Sequence, residues 1–164
     1  MSETECTRAL RAFLNGEFRE WPGLPKGCTR AHAEAVFGPT GEAPDAAGRL
    51  GDQLTALRRY PASGIAPHGI MVWLEGDEVV LLQINEPVLL PSLDRILGEP
   101  EARAPSQLRT RHTQWIYASR GLVAHVRNIP YALIRLYGMR PTTVERFLDS
   151  PLSRVSSRRI QLNW

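Results

Sequence analysis

The side chains that could do chemistry are few and dispersed. Four histidines occur, His32, His68, His112 and His125, and none has a second ligand at metal-site spacing. The phosphate-binding loop, His-Glu-x-x-His and Gly-x-Ser-x-Gly patterns are missing from the chain. What these residues could still carry is proton transfer, because imidazole titrates near neutrality. His125 is the first candidate. Period-two counting along 122–128 puts Val123, His125 and Arg127 on one side of a strand, and Leu122, Ala124 and Val126 on the other, the core side. His125 and Arg127 would then line a polar sheet face, with hydroxyls from Tyr117, Tyr131 or Tyr137 nearby. If the chain is an enzyme, its catalytic set is His125, Arg127 and Tyr117. It would then act as an isomerase, cyclase or dehydratase, with no cofactor and no metal. The plainer reading is a solvent-facing histidine without a task and core tyrosines with satisfied hydroxyls.

Binding chemistry rests on tryptophan. Trp73 and Trp115 each occupy a strand-like run. On the open side of a sheet they would anchor a partner, since tryptophan buries much area at little entropic cost. Facing the helices, they are core. The binding set is therefore Trp73, Trp115, His125 and Arg127.

Charge is divided along the chain. Residues 1–100 carry 9 basic and 14 acidic side chains, and residues 101–164 carry 11 and 3. The basic third is either a solvated face paired with acids of the first half or a docking surface for a protein partner. A nucleic-acid partner is not expected: Lys26 is the single lysine, and no RNA- or DNA-binding pattern accompanies the arginines. No apolar run approaches the roughly 20 residues that span a bilayer, and the acidic start, 1–6, lacks a signal-peptide pattern. A cytoplasmic protein without a membrane partner is the expectation. Cys6 and Cys28 lack Cys-x-x-Cys spacing and read as two free thiols, with a disulfide between them left open.

The elements that must position these residues suggest an α+β fold. A chain of 164 residues with 43% apolar content supports one core, hence a single domain over 1–164. Short helices are expected at 5–18, at 30–37 behind a Thr29 cap and at 93–97 behind Ser92. A last helix follows Arg140-Pro141, with Thr142 as cap, Glu145 reaching back and a stripe of Val144, Phe147 and Leu148. Alternation marks a hairpin at 69–85 turning at Glu75-Gly76-Asp77-Glu78. A second hairpin pairs 113–118 with 122–128, and 131–138 supplies another strand. Residues 54–60 suit a strand or a short helix. Residues 39–53, poor in large apolar side chains, read as a loop, as do 61–68 and 101–111. The tail, 153–164, is a last strand or loosely ordered. The whole is an antiparallel sheet of about six to eight strands packed on short helices.

The halves look alike. Each has a short helix ending in Phe37-Gly38-Pro39 or Leu97-Gly98-Glu99-Pro100, then a loop, then a tryptophan-bearing hairpin, giving two tandem units at 5–86 and 87–152. Gly27-x-Thr29-(x7)-Phe37-Gly38, and Leu93-(x3)-Leu97-Gly98-x-Pro100 followed by Trp115-x-Tyr117, resemble the helix–turn–sheet unit of the β-lactamase inhibitory proteins and the outer-membrane assembly lipoproteins. The resemblance implies helices packed on an antiparallel sheet and a sheet face that binds a protein: an inhibitor, immunity-type or accessory protein. A scaffold role in a larger assembly is the remaining alternative.

Overall fold

The computed structural model describes residues 4–39, 46–50, 53–89, 91–108 and 111–154, with backbone alone at 46–50, 53–57 and 154. Its helices are α1 (Glu5–Asn15), α2 (Arg30–Phe37), α3 (Leu93–Leu97) and α4 (Val144–Asp149). Its strands are β1 (Ala46–Leu50), β2 (Gln53–Tyr60), β3 (Ile70–Glu75), β4 (Glu78–Asn85), β5 (Ala102–Pro105), β6 (His112–Tyr117), β7 (Leu122–Asn128) and β8 (Tyr131–Gly138). All neighbours pair antiparallel in one eight-stranded sheet, ordered β1-β2-β3-β4-β8-β7-β6-β5. Each half of the chain lays down its four strands consecutively, and the two runs meet at their last strands, β4 and β8. No described helix is long and apolar enough to cross a membrane.

Cap chemistry sets the helix ends. Thr4 accepts from Thr7 N–H at the start of α1, and Gly16, in the left-handed region at φ 72°, closes it. This ends α1 three residues before the expected limit. At α2, Thr29 accepts from His32 N–H, while His32 Nδ1 accepts from Thr29 N–H at 3.0 Å. His32 is thereby spent on a reciprocal cap. In α4 the cap is Thr143, one residue after the expected Thr142, and its hydroxyl accepts from Arg146 N–H. That register turns Phe147 inward and leaves Leu148, expected on the apolar stripe, 38% exposed.

Apolar side chains cover both faces of the sheet. On the first face, α1, α2 and α3 pack over Ile70, Val72, Leu74, Val79, Leu82, Ile84, Leu122, Ala124, Val126 and Leu136. Gly138 admits α1 here: a Cβ at this position would stand 2.5 Å from Phe13 Cε2. On the second face, Met71, Trp73, Leu81, Ile116, Val123 and Tyr137 pack with Met139 and Phe147, and with Val144 and Leu152 at the margin. The sheet therefore lacks the open, polar face expected around His125. The second cover comes from α4 and a 3-10 turn at Pro151–Arg154, an element too short for its amphipathic pattern to announce it.

Two expected loops and the expected free thiols are corrected, and the open choice at 54–60, strand or short helix, is decided for the strand. Residues 46–50 form edge strand β1 within the expected loop 39–53, and β5 forms the opposite edge within the expected loop 101–111. Edge strands are held by hydrogen bonds to one neighbour and need few large apolar side chains, so composition hides them. Residues 53–60 resolve as strand, paired with β3 from Ala56↔Leu74 to Tyr60↔Ile70. Cys6 and Cys28 are not free thiols but a disulfide, with Cα atoms 5.5 Å apart. The packing of α1 against the segment that leads into α2 brings them into bonding range. Of the tail, 153–164, expected as a last strand or loosely ordered, residues 153 and 154 belong to the 3-10 turn and 155–164 lie outside the described residues.

Candidate functional site

Cross-strand register gathers a polar row on the second face. Gln114 on β6 stands opposite His125 on β7, His125 opposite Arg135 on β8, and Arg135 opposite Asn85 on β4. Arg135 Nε donates to Asn85 Oδ1 at 2.9 Å, and its Nη1 donates to Tyr137 OH at 3.2 Å. Gln83 Nε2 donates to the same Asn85 oxygen at 3.1 Å, and Trp73 Nε1–H donates to Gln83 Oε1 at 3.0 Å. The tryptophan is thus tied into the sheet and fully buried. This contradicts the expectation that Trp73 anchors a partner.

His125 ends up in the same core. It is 1% exposed, packed edge-on against Tyr137 with ring centroids 5.5 Å apart, and its Nδ1 lies 2.7 Å from Ser106 Oγ. Leu108 N–H donates to that same oxygen, and the imidazole tautomer sets which of Oγ and Nδ1 donates to the other. Burial, then the neighbouring charges of Arg135 and His112, push the imidazole pKa down from 6.5 to about 3. The ring is neutral at physiological pH and cannot donate a proton to a substrate as an imidazolium. Its burial also removes it from the expected binding surface.

The expected catalytic set does not assemble. Tyr117 lies on the first face, where its hydroxyl donates to Gly98 O at 3.0 Å and burial, with Asp94 second, pushes its pKa up. Arg127 lies two residues beyond His125 at the exposed end of β7, and its Nε donates to Pro130 O at 3.1 Å. One candidate faces the helices, one is buried on the second face beside Ser106 and Tyr137, and one points along a turn. The two tryptophans also occupy different ranks: Trp73 in the third strand of its run, Trp115 in the second.

Of the expected binding set, Arg127 is exposed and Trp115 half-buried, and Trp115 takes part in a surface that sequence reasoning did not assemble. It stands on the first face beside α3, half-buried, its ring 5.9 Å from that of Tyr131 at 36°. The guanidinium of Arg103, on edge strand β5, lies 5.4 Å from its centroid. Glu99 Oε2 accepts from Arg103 Nη2 at 2.8 Å and steadies it. The pairing Asn128↔Tyr131 leaves Ile129 and Pro130 as the tip of the β7–β8 hairpin, joined by a cis peptide bond. Tyr131 is 47% exposed and Ile129 90% exposed. Arg103 was hidden in an Ala-Arg-Ala-Pro run that carries no strand alternation of large residues. An exposed isoleucine at a turn was the one signal available at Ile129.

Arg103, Trp115 and Tyr131 form an amphipathic patch with one planar cation and two aromatic faces, and Ile129 stands exposed at the hairpin tip two positions before Tyr131. They hold no paired nucleophile and base, so the patch offers contact rather than bond chemistry. No protein-family model, curated protein or solved structure matches this chain.

Proposed function

We propose that this chain is a protein-binding module that docks through the Trp115–Tyr131–Arg103 patch and the Ile129 tip. The carrying observation is an aromatic pair and an arginine held together on an exposed part of the sheet. Tryptophan, tyrosine and arginine are the residues enriched among those that dominate interface energetics. The surrounding third of the chain carries 11 basic and 3 acidic side chains, which favours a partner acidic around an apolar centre. The meeting of two four-strand runs at β4 and β8 supports the two-unit reading, and helices packed on an antiparallel sheet suit the inhibitor or accessory class that the resemblance implies. The Cys6–Cys28 disulfide favours an oxidising working compartment over the cytoplasm.

A photo-crosslinking residue at position 131, introduced in the native cell, tests the proposal. One adduct of discrete mass is expected at 131 and none at position 11, an exposed site on α1. Trp115→Ala should abolish the adduct with the circular dichroism spectrum unchanged. Equal labelling from both positions, or none from either, would sink the reading.

A further inference from the structure

A cleft of about 390 Å³ opens on the second face, between the β3–β4 hairpin and α4. Leu81, Met139 and Phe147 form its floor, and Pro151 and Leu152 its far wall. Its volume lies within the range of small-molecule sites. The wall is tied to the sheet: Ser153 Oγ donates to Leu148 O at 2.8 Å, and the buried Gln114 Nε2 donates to Ser153 O at 3.2 Å. The 3-10 turn after α4 is thus anchored from beneath, so the cleft is present before any ligand arrives.

The mouth is polar. Arg140, Arg146 and Glu75 border it. Arg140 is engaged in an ion pair with Glu78, whose Oε1 also accepts from Gly27 N–H. Arg146 is exposed, and its guanidinium forms no ion pair with a carboxylate among the described residues. A guanidinium fork matches a carboxylate in two parallel hydrogen bonds. Glu75 at the same mouth opposes a second negative charge on the ligand.

We infer that this cleft binds a small organic monocarboxylate with an apolar body, the carboxylate on Arg146 and the hydrocarbon over Leu81, Met139 and Phe147. The site lies on the opposite face from the docking patch, so the two proposals stand or fall separately.

Octanoate is the probe, with octan-1-ol as its uncharged counterpart. The chain has three methionines, so ¹³C-methyl labelling places a reporter in the cleft at Met139 and another outside its lining at Met71. Octanoate should shift the Met139 methyl saturably and leave Met71 in place. Arg146→Gln, at an exposed position, should weaken octanoate by about tenfold, the loss of one charge-assisted contact, and leave octanol unchanged. No saturable shift at Met139, or equal octanoate affinity in Arg146→Gln, would overturn the assignment.

Discussion

Ser106 Oγ and His125 Nδ1 lie 2.7 Å apart inside the second core, and the imidazole's other nitrogen, Nε2, is buried without a hydrogen-bond partner among the described residues. A histidine so placed belongs to the stability of the sheet. Its folded pKa, about 3, lies below its ordinary 6.5, so the unfolded chain takes up a proton first as the pH falls. The stability it contributes is complete above pH 6.5 and is lost as the pH drops towards 3, by about 1.4 kcal/mol for each pH unit. Urea midpoints measured across that window should slope downward towards acid in the native chain. In His125→Gln, which keeps an acceptor for Ser106 but does not titrate, that part of the slope should disappear. An identical slope in both proteins would place His125 in water.

The disulfide can be tested directly. It joins Cys6 to Cys28, 22 positions apart, and closing a loop of that length contributes about 3 kcal/mol in the chain-entropy account. Reduction, or Cys6→Ser together with Cys28→Ser, should lower the unfolding free energy by that order. The unreduced, denatured protein should take up no alkylating reagent. Two alkylated thiols before reduction would show that the bond is not formed.

The two tryptophans should separate in a stability measurement. Trp73→Ala removes a fully buried ring and strands the Gln83 amide, so a loss of about 3–5 kcal/mol is expected. Trp115→Ala removes a half-buried ring whose specific contacts are Tyr131 and Arg103, and should cost about 1–2 kcal/mol. Chemical denaturation of the two variants checks the order. A reversed order would mean that Trp115, and not Trp73, is the core residue.

Gly138 gives the sharpest packing test. Its β8 position faces the ring of Phe13, with no room for a Cβ. Gly138→Ala should therefore destabilise the fold by about 1–3 kcal/mol. Phe13→Leu in the same chain should recover part of the loss, because the smaller side chain yields the contested space. Two costs that simply add would show that α1 does not rest on β8 here.

Much of the scaffold could be read from local pattern. Thr29 before α2, the alternation along β3 and β4, and the glycine turns at Gly76 and Gly121 are short-range signals, and each element appears where they place it. The face assignment along β7 also held: Leu122, Ala124 and Val126 lie in the first core, and Val123 lies in the second. What alternation could not say was whether the second side of that strand met water or protein. That was decided in tertiary packing: Phe147 of α4 joins the cluster that holds Val123, and Ser106, nineteen positions away in the segment after β5, closes on His125 and turns an expected surface base into a buried ring. The edge strands β1 and β5 were equally hidden, because one ladder of backbone hydrogen bonds holds them and no hydrophobic period marks them.

Sequence alone thus determined the α+β class, the antiparallel hairpins and the positions of most caps, all of which depend on contacts within a few residues. The tertiary structure alone decided that Cys6 meets Cys28, that Trp73 is core while Trp115 reaches the surface with Arg103 and Tyr131, and that a cleft forms under Arg146. Each of these joins residues from different elements, and their distances are set by how helices and strands pack, which no local period encodes.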